Sequence, residues 1–125
     1  MITASLLGAM AVALGAFGAH GLKQYATSTQ LQTFETAVKY QFYHVFALAL
    51  TSIFYKLVPT PNILIAGKCF IFGMVLFSGS LYLLTFLSIG GFNQFKWLGA
   101  ITPFGGVLLI TGWVLLAISV YRHHA

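Results

Sequence analysis

Apolar residues occupy four long stretches of the chain, separated by short polar connectors. The stretches are residues 2–19, 37–55, 63–87 and 97–120. Each has roughly 18 to 25 residues, the length that a helix needs to cross about 30 Å of hydrocarbon. The pattern predicts an all-α integral membrane protein: a single domain over residues 1–125 in which four transmembrane helices form a bundle.

The connectors carry signals for where the helices begin and end. Residues 24–36 form the one clearly polar segment, and we expect Ser28 or Thr29 to cap a helix that continues as the second span. The connector 58–62 contains two prolines, which cannot continue a helix.

Thr102-Pro103, in the fourth stretch, has two interpretations. Thr102 can cap a helix whose first residue is Pro103. Alternatively, one helix begins near Gln94 and kinks at Pro103. We favour the continuous, kinked helix.

Small residues recur at helical spacing in two of the spans. In the first span they line one face, and in the fourth they are seven residues apart: Gly8, Ala11, Gly15 and Gly18, then Gly105 and Gly112. Small residues allow close approach of neighbouring helices in lipid, so both faces are predicted to be helix contacts.

The second span carries a stripe of polar and small residues. Its members share an arc of roughly 100° on a helix of 3.6 residues per turn. They are Thr33, Ala37, Tyr40, Gln41, His44, Ala47 and Thr51. We predict that the stripe points into the bundle.

Charge is scarce in the chain, and this narrows the classes of function. Only 6% of the residues are charged, and six Lys or Arg stand against one acidic residue, Glu35, for a net charge of +5. The cations stand singly at segment ends, as headgroup anchors do, so we expect no nucleic-acid partner. Cys69 is the one cysteine, which leaves no intrachain disulfide.

The sequence encodes orientation only weakly. The first stretch has the length of a signal peptide but lacks its positively charged start, so we expect a retained first span. Three cations fall on each side of the membrane: Lys56, Lys68 and Arg122 on the side of the termini, and Lys23, Lys39 and Lys96 on the other. If Lys39 lies within the helix, the bias favours termini in the cytoplasm.

Four strings, one in each predicted span, carry a family resemblance. They are Gly15-Ala16-Phe17-Gly18-Ala19-His20, then Tyr40-Gln41 with His44, then Leu76-Phe77-Ser78-Gly79-Ser80-Leu81-Tyr82, then Thr102-Pro103-Phe104-Gly105-Gly106 with Gly112-Trp113. The chain resembles family 423 of the domains of unknown function, small four-helix proteins of the bacterial inner (plasma) membrane. The vertebrate transmembrane protein 256 is similar to it as a distant relative. The resemblance implies one four-helix domain with both termini cytoplasmic, and it implies no known activity or site residue.

A candidate intramembrane polar site can be assembled from the predicted spans. It consists of His20, Tyr40, Gln41, His44, Ser78 and Ser80. An imidazole at membrane depth needs a partner, and if the helix ends adjoin, His20 and His44 lie at similar depth. Two such rings can bind haem, a metal ion or a quinone. We favour the simpler interpretation, in which each ring bonds to a backbone carbonyl or a neighbouring side chain and fixes packing.

The remaining combinations offer less chemistry. Glu35 and Lys39 are four residues apart, and we expect a salt bridge between them near the interface. A metal site needs further ligands, and only Cys69 and Glu35 are available, with Glu35 on the wrong helix face, so we predict no metal. We also expect no cofactor, no catalytic residue and no enzymatic activity, because no nucleophile, base and oxyanion donor come together.

Three functions remain compatible with the sequence. The favoured one is an accessory or interaction subunit of a larger membrane complex, with the lipid bilayer and other membrane proteins, or further copies of itself, as partners. The first alternative is an oligomeric transporter or channel for a small solute, although the near absence of acidic residues argues against cation conduction. The second is a binder of haem, quinone or lipid that uses His20 and His44.

Overall fold

The chain folds into α-helices joined by short connectors. The computed structural model describes residues 1–124. Its α-helices are α1 (Ile2–His20), α2 (Ser28–Leu57), α3 (Pro61–Ile89) and α4 (Thr102–His124). Two 3₁₀ segments, Leu22–Gln24 and Asn93–Ala100, lie in the connectors before α2 and α4. The all-α prediction is confirmed.

A reciprocal cap fixes the beginning of α2. The Thr27 hydroxyl accepts a hydrogen bond from the backbone N–H of Gln30 at 3.2 Å, and the Gln30 side-chain oxygen accepts one from the N–H of Thr27 at 2.9 Å. This is a capping box. The predicted caps Ser28 and Thr29 are therefore wrong: both lie in the first turn of α2, and Thr27 before them is the cap.

The connector between α2 and α3 behaves as its prolines predict. Helix α2 ends at Leu57, and Pro61 occupies the first turn of α3, where its missing N–H costs no hydrogen bond. The Thr60 hydroxyl accepts from the N–H of Ile63 at 3.5 Å and caps the new helix.

Helix α4 begins at Thr102, so the favoured continuous helix from Gln94 is wrong. The preceding residues form the 3₁₀ segment Asn93–Ala100, which Phe95 interrupts with φ −91° and ψ 19°. Pro103 lies in the first turn of α4, where no intrahelical partner is needed for its nitrogen. The proline is thus part of a helix start and does not kink a longer helix.

Helices α2 and α3 form the centre of the molecule. Helix α1 packs mainly against α2, and α4 packs mainly against α3. Helix α1 runs antiparallel to α2 over its whole length: the Met1 nitrogen donates to the Ser52 hydroxyl at 3.2 Å, and at the other end Gly18 lies against the Phe34 ring. Phe34 and Phe70 are fully buried between the helices.

The small residues of α1 lie against α2, as the sequence predicts. Gly8, Gly15 and Gly18 each contact an α2 side chain, and Ala11 between them is fully buried. A Cβ added at Gly18 would lie 2.8 Å from the Phe34 ring, closer than real Cβ contacts occur. The spacing of small residues therefore identified the α1–α2 contact correctly.

A second close contact joins α3 and α4. The backbone of Phe77 lies so near Gly105 that no Cβ fits between them. Two turns further along α4, a Cβ at Gly112 would lie 2.7 Å from the Phe70 ring. On α3, a Cβ at Gly73 would also lie too close to its neighbours. The predicted role of Gly105 and Gly112 as contact residues is confirmed.

The helices also carry the apolarity that membrane crossing requires, with one exception. In the described part of the chain, three segments are long and apolar enough to span a bilayer: Ile2–Gln24, Pro61–Ile89 and Asn93–His123. Helix α2 is long enough but is not among them. Three of the four predicted spans are thus confirmed by their length and apolarity, and the span in α2 stays a prediction.

Candidate functional site

Gln41 lies at the centre of the polar residues inside the molecule. It is only 2% exposed. Its side-chain N–H donates to the backbone carbonyl of Leu7 at 2.9 Å, and its carbonyl oxygen accepts from the Tyr82 hydroxyl at 2.7 Å. One side chain of α2 therefore links α1 and α3.

Two buried serines of α3 extend these links to both sides. The Ser78 hydroxyl donates to the backbone carbonyl of Ala37 on α2 at 2.8 Å. The Ser80 hydroxyl lies 2.7 Å from the Thr102 hydroxyl at the start of α4. Ser78 thus ties α3 to α2, and Ser80 ties α3 to α4.

His44 connects α2 to α4 through Nε2, while its Nδ1 bonds within α2. Nδ1 lies 2.7 Å from the backbone carbonyl of Tyr40, and the indole N–H of Trp113 donates to Nε2 at 3.3 Å. A carbonyl can only accept and an indole can only donate, so Nδ1 carries the proton and the ring is neutral. This agrees with the favoured interpretation of His44 as a packing residue.

These bonds leave no buried polar side chain unpaired. Among the side chains of residues 1–123, every buried nitrogen or oxygen has a hydrogen-bond partner. In hydrocarbon an unpaired polar group costs several kcal/mol, so mutual pairing is what allows this polarity inside the molecule. We name Gln41, His44, Ser78, Ser80, Tyr82, Thr102 and Trp113 the interhelical network.

Replacing His44 by Leu tests the network at its α4 end. We expect H44L to lower the free energy of unfolding by about 1 kcal/mol, as is typical of one interhelical hydrogen bond in a membrane. The indole N–H resonance of Trp113 in an NMR spectrum should move upfield, because its acceptor is lost. The Trp97 resonance should stay in place, since that side chain is exposed.

The matched control is His20→Leu, which changes the exposed imidazole at the end of α1. H20L should leave both the stability and the Trp113 resonance unchanged. If the Trp113 indole resonance has the same chemical shift in H44L as in the wild type, the hydrogen bond to His44 does not form.

His20 does not lie beside His44, so the expectation that the two rings share one depth is wrong. Gly18, two residues before His20, lies against Phe34. Phe34 precedes His44 by ten residues, which is about 15 Å along a helix. The reason is that α2 begins at Ser28, so the end of α1 lies beside the early turns of α2, whereas His44 lies in the middle of α2. The exposed His20 ring bonds only to the carbonyl of Ala16, at 3.1 Å.

Tyr40, a member of the predicted polar site, takes part in the hydrogen bonds through its backbone and not through its side chain. Its side chain is 40% exposed, and its ring packs against Phe77, tilted by 34°, at a centroid distance of 4.6 Å. Tyr40 contributes its backbone carbonyl to His44, whereas the hydroxyl that motivated the prediction takes no part in the network.

The other predicted candidates lie apart from the network. Glu35 and Lys39 are both exposed on α2, and the ion pair between them stays a prediction. Cys69 is a half-buried free thiol on α3. Within residues 1–123, no three His, Cys, Asp or Glu side chains gather where they could hold a metal ion.

Sequence reasoning missed three members of the network: Tyr82, Thr102 and Trp113. Tyr82 stands four residues after Ser78, on the same face of α3, so helical spacing could have identified it. Trp113 follows Gly112 in the α3–α4 contact, and its indole N–H needs an acceptor once it leaves water.

Long apolar helices, joined internally by hydrogen bonds between helices, define a small helical membrane protein. The chain belongs to the family described as Protein of unknown function (DUF423), whose sequence model matches residues 14–106. The resemblance found in the sequence is therefore confirmed.

Several bacterial proteins are similar to the chain over nearly its full length. A UPF0382 membrane protein of Staphylococcus saprophyticus is 40% identical over 122 residues, which cover 98% of this chain and 96% of the relative. The UPF0382 membrane protein YwdK of Bacillus subtilis is 39% identical over 115 residues, 91% of this chain and 89% of the relative. No solved structure matches the chain. These names support a bacterial membrane protein and assign no activity.

Proposed function

We propose that the chain is a non-catalytic accessory subunit that binds larger membrane proteins within the bacterial plasma membrane. The observation that carries the proposal is the completeness of the interhelical network. Its polar groups are bonded to each other or to backbone carbonyls, so they hold the helices in place and offer no free group to a solute or cofactor. Binding to other membrane proteins then depends on the outward surface of the helices.

The outward side of α1 is the surface best suited to another helix. Ser5, Ala9, Ala13 and Ala16 follow one another at helical spacing, and all four are exposed. They lie opposite the glycine face that packs on α2. Small residues allow a second helix to approach closely in lipid, where packing rather than the hydrophobic effect drives association.

The same proposal includes four membrane spans in one domain. Helix α2 runs beside the whole length of α1. The mean hydropathy of α2 is lowered by its buried polar residues Gln41, His44 and Thr51. Because those residues are hydrogen-bonded inside the molecule, they do not face lipid. A helix that accompanies a spanning neighbour at every level crosses the membrane with it, so lower hydropathy is no obstacle for α2.

The cations support termini on the cytoplasmic side. Lys39 is the twelfth residue of α2, four residues further into its helix than Lys68 is into α3, so we leave Lys39 alone out of the count of cations near the helix ends. Lys56, Lys68 and Arg122 then stand near the side of the termini, against Lys23 and Lys96 on the other. An excess of Lys and Arg favours the cytoplasm.

Purification from native membranes in mild detergent, followed by mass spectrometry of the intact complex, tests the proposal. We expect larger proteins in fixed stoichiometry with the chain. Substitution of Ala9 and Ala13 together by Leu should remove those partners while the chain still folds, because both positions are exposed.

The control is Ala117→Leu, the same change at an exposed position of α4. A117L should keep the partners. A homo-oligomer without larger partners would contradict the accessory role and would favour the oligomeric transporter. Partners that survive the A9L/A13L pair would place the contact elsewhere than on α1.

A further inference from the structure

A groove opens where α1, α2 and α3 meet near the N-terminus. It has a volume of about 350 Å³ and is bounded by the start of α1, the last turns of α2 and the first turns of α3. The Met1 nitrogen, bonded to the Ser52 hydroxyl at 3.2 Å, lies at its edge. Since α2 ends at Leu57 and α3 begins at Pro61 here, the groove lies at the level where the spans leave the hydrocarbon.

Two cations line this groove without an acidic neighbour. Lys56 on α2 and Lys68 on α3 both border it, and both side chains are exposed. The only acidic side chain of the chain is Glu35. It precedes Lys56 by 21 residues on the same helix, about 30 Å away along the axis. No element packed around the groove supplies a carboxylate side chain that could balance the two ammonium groups.

The inner part of the groove is apolar. Leu48 of α2 and Ile71 of α3 lie about one turn further into the membrane than Ser52 and Lys68, whereas Ile63 and Leu64 border the outer end. The hydroxyl groups of Thr3, Thr51, Ser52 and Tyr55 share the lining with the two lysines. A ligand that matches this lining has an anionic head and a hydrocarbon tail.

We propose that this groove binds one anionic phospholipid. The lipid phosphate lies between the ammonium groups of Lys56 and Lys68, and the first part of an acyl chain lies along Leu48 and Ile71. Cations at the membrane surface attract anionic headgroups, and a lysine near hydrocarbon is stabilised by a counter-charge. The inference is independent of the accessory role, because none of Ser5, Ala9, Ala13 and Ala16 lines the groove.

Native mass spectrometry of the full chain with added phosphatidylglycerol or phosphatidylcholine tests this site. We expect the wild type to retain one phosphatidylglycerol and to retain phosphatidylcholine much less. The K56Q/K68Q pair should weaken retention by roughly tenfold or more, because two cations near the headgroup are lost. The K23Q/K96Q pair, which removes two cations from the opposite side, should retain the lipid as the wild type does.

A third variant tests the apolar half of the groove without changing charge. Gly67 lines the groove, and a Cβ there meets only Thr51 at 3.5 Å and Leu48 at 3.8 Å, both ordinary contacts. G67L should therefore fold, which a thermal unfolding curve checks, and should reduce lipid retention by occupying the space of the acyl chain.

Three results would overturn the proposal. Equal losses in the K56Q/K68Q and K23Q/K96Q pairs would mean that net charge alone attracts the lipid. Unchanged retention in a folded G67L chain would mean that the groove is not the site. Displacement of the lipid by glycerol phosphate at equal concentration would mean that the lysines bind a free phosphate and the apolar wall is not used.

Discussion

Gly105→Ala is expected to separate α3 from α4 and to give the largest loss of stability of any single methyl group added to the chain. The new Cβ would lie 2.8 Å from the Phe77 Cα and 2.9 Å from the carbonyl carbon of Leu76. Both are backbone atoms, so no side-chain rotation relieves the overlap. Overpacking costs about 1–3 kcal/mol, and a backbone obstacle places G105A at or above the upper end. Chemical or thermal unfolding in detergent measures the loss.

The neighbouring residue provides a matched control for G105A. A Cβ at Gly106 would lie 3.7 Å from the Phe77 ring, an ordinary contact. G106A should be neutral or more stable by up to about 1 kcal/mol, because Ala favours a helix over Gly. If both variants unfold at the wild-type midpoint, the close approach of α3 and α4 at Gly105 is incorrect.

Gln41→Leu is expected to produce the second-largest loss. The substitution leaves the Tyr82 hydroxyl without its acceptor and removes the donor to the Leu7 carbonyl. A buried polar group left unpaired costs about 1–3 kcal/mol. We therefore expect Q41L to lower the free energy of unfolding by about 2 kcal/mol, measured by the same unfolding titration.

A double-mutant cycle with Tyr82→Phe separates the network from simple packing. Y82F alone leaves the Gln41 oxygen without a donor, and Q41L alone leaves the Tyr82 hydroxyl without an acceptor. The combined variant leaves neither, so its loss should be smaller than the sum of the single losses by about 0.5 kcal/mol or more. Additive losses would show that Gln41 and Tyr82 do not interact.

The sequence was sufficient to predict the helices and their close contacts. Apolar length predicted the helical class, and the spacing of Gly8, Gly15 and Gly18 predicted the face of α1 that meets α2. Both rest on local periodicity, which a single helix already expresses. The helix ends were less predictable, because the cap of α2 depends on the pairing of Thr27 with Gln30 and not on residue type alone.

The partners within the polar site required the fold. Periodicity placed Gln41 and His44 on an inward face of α2, and both are buried there. Their partners Tyr82 and Trp113 lie 41 and 69 residues further along the chain, so only the packing of α3 and α4 brings them together. The same limit explains the error over His20, whose depth relative to His44 depends on how far α2 extends beyond α1.

The acceptors at Leu7 and Ala37 are main-chain carbonyls, so each of these two hydrogen bonds constrains the residue type at its donor position more than at its acceptor position. Gln41 and Ser78 must supply specific donors, whereas any residue of fitting size at positions 7 and 37 still presents the same oxygen. A change at either acceptor position therefore cannot abolish the bond chemically. At Leu7 and Ala37 the choice of residue is therefore limited by size and packing, whereas at Gln41 and Ser78 it is limited by hydrogen bonding as well.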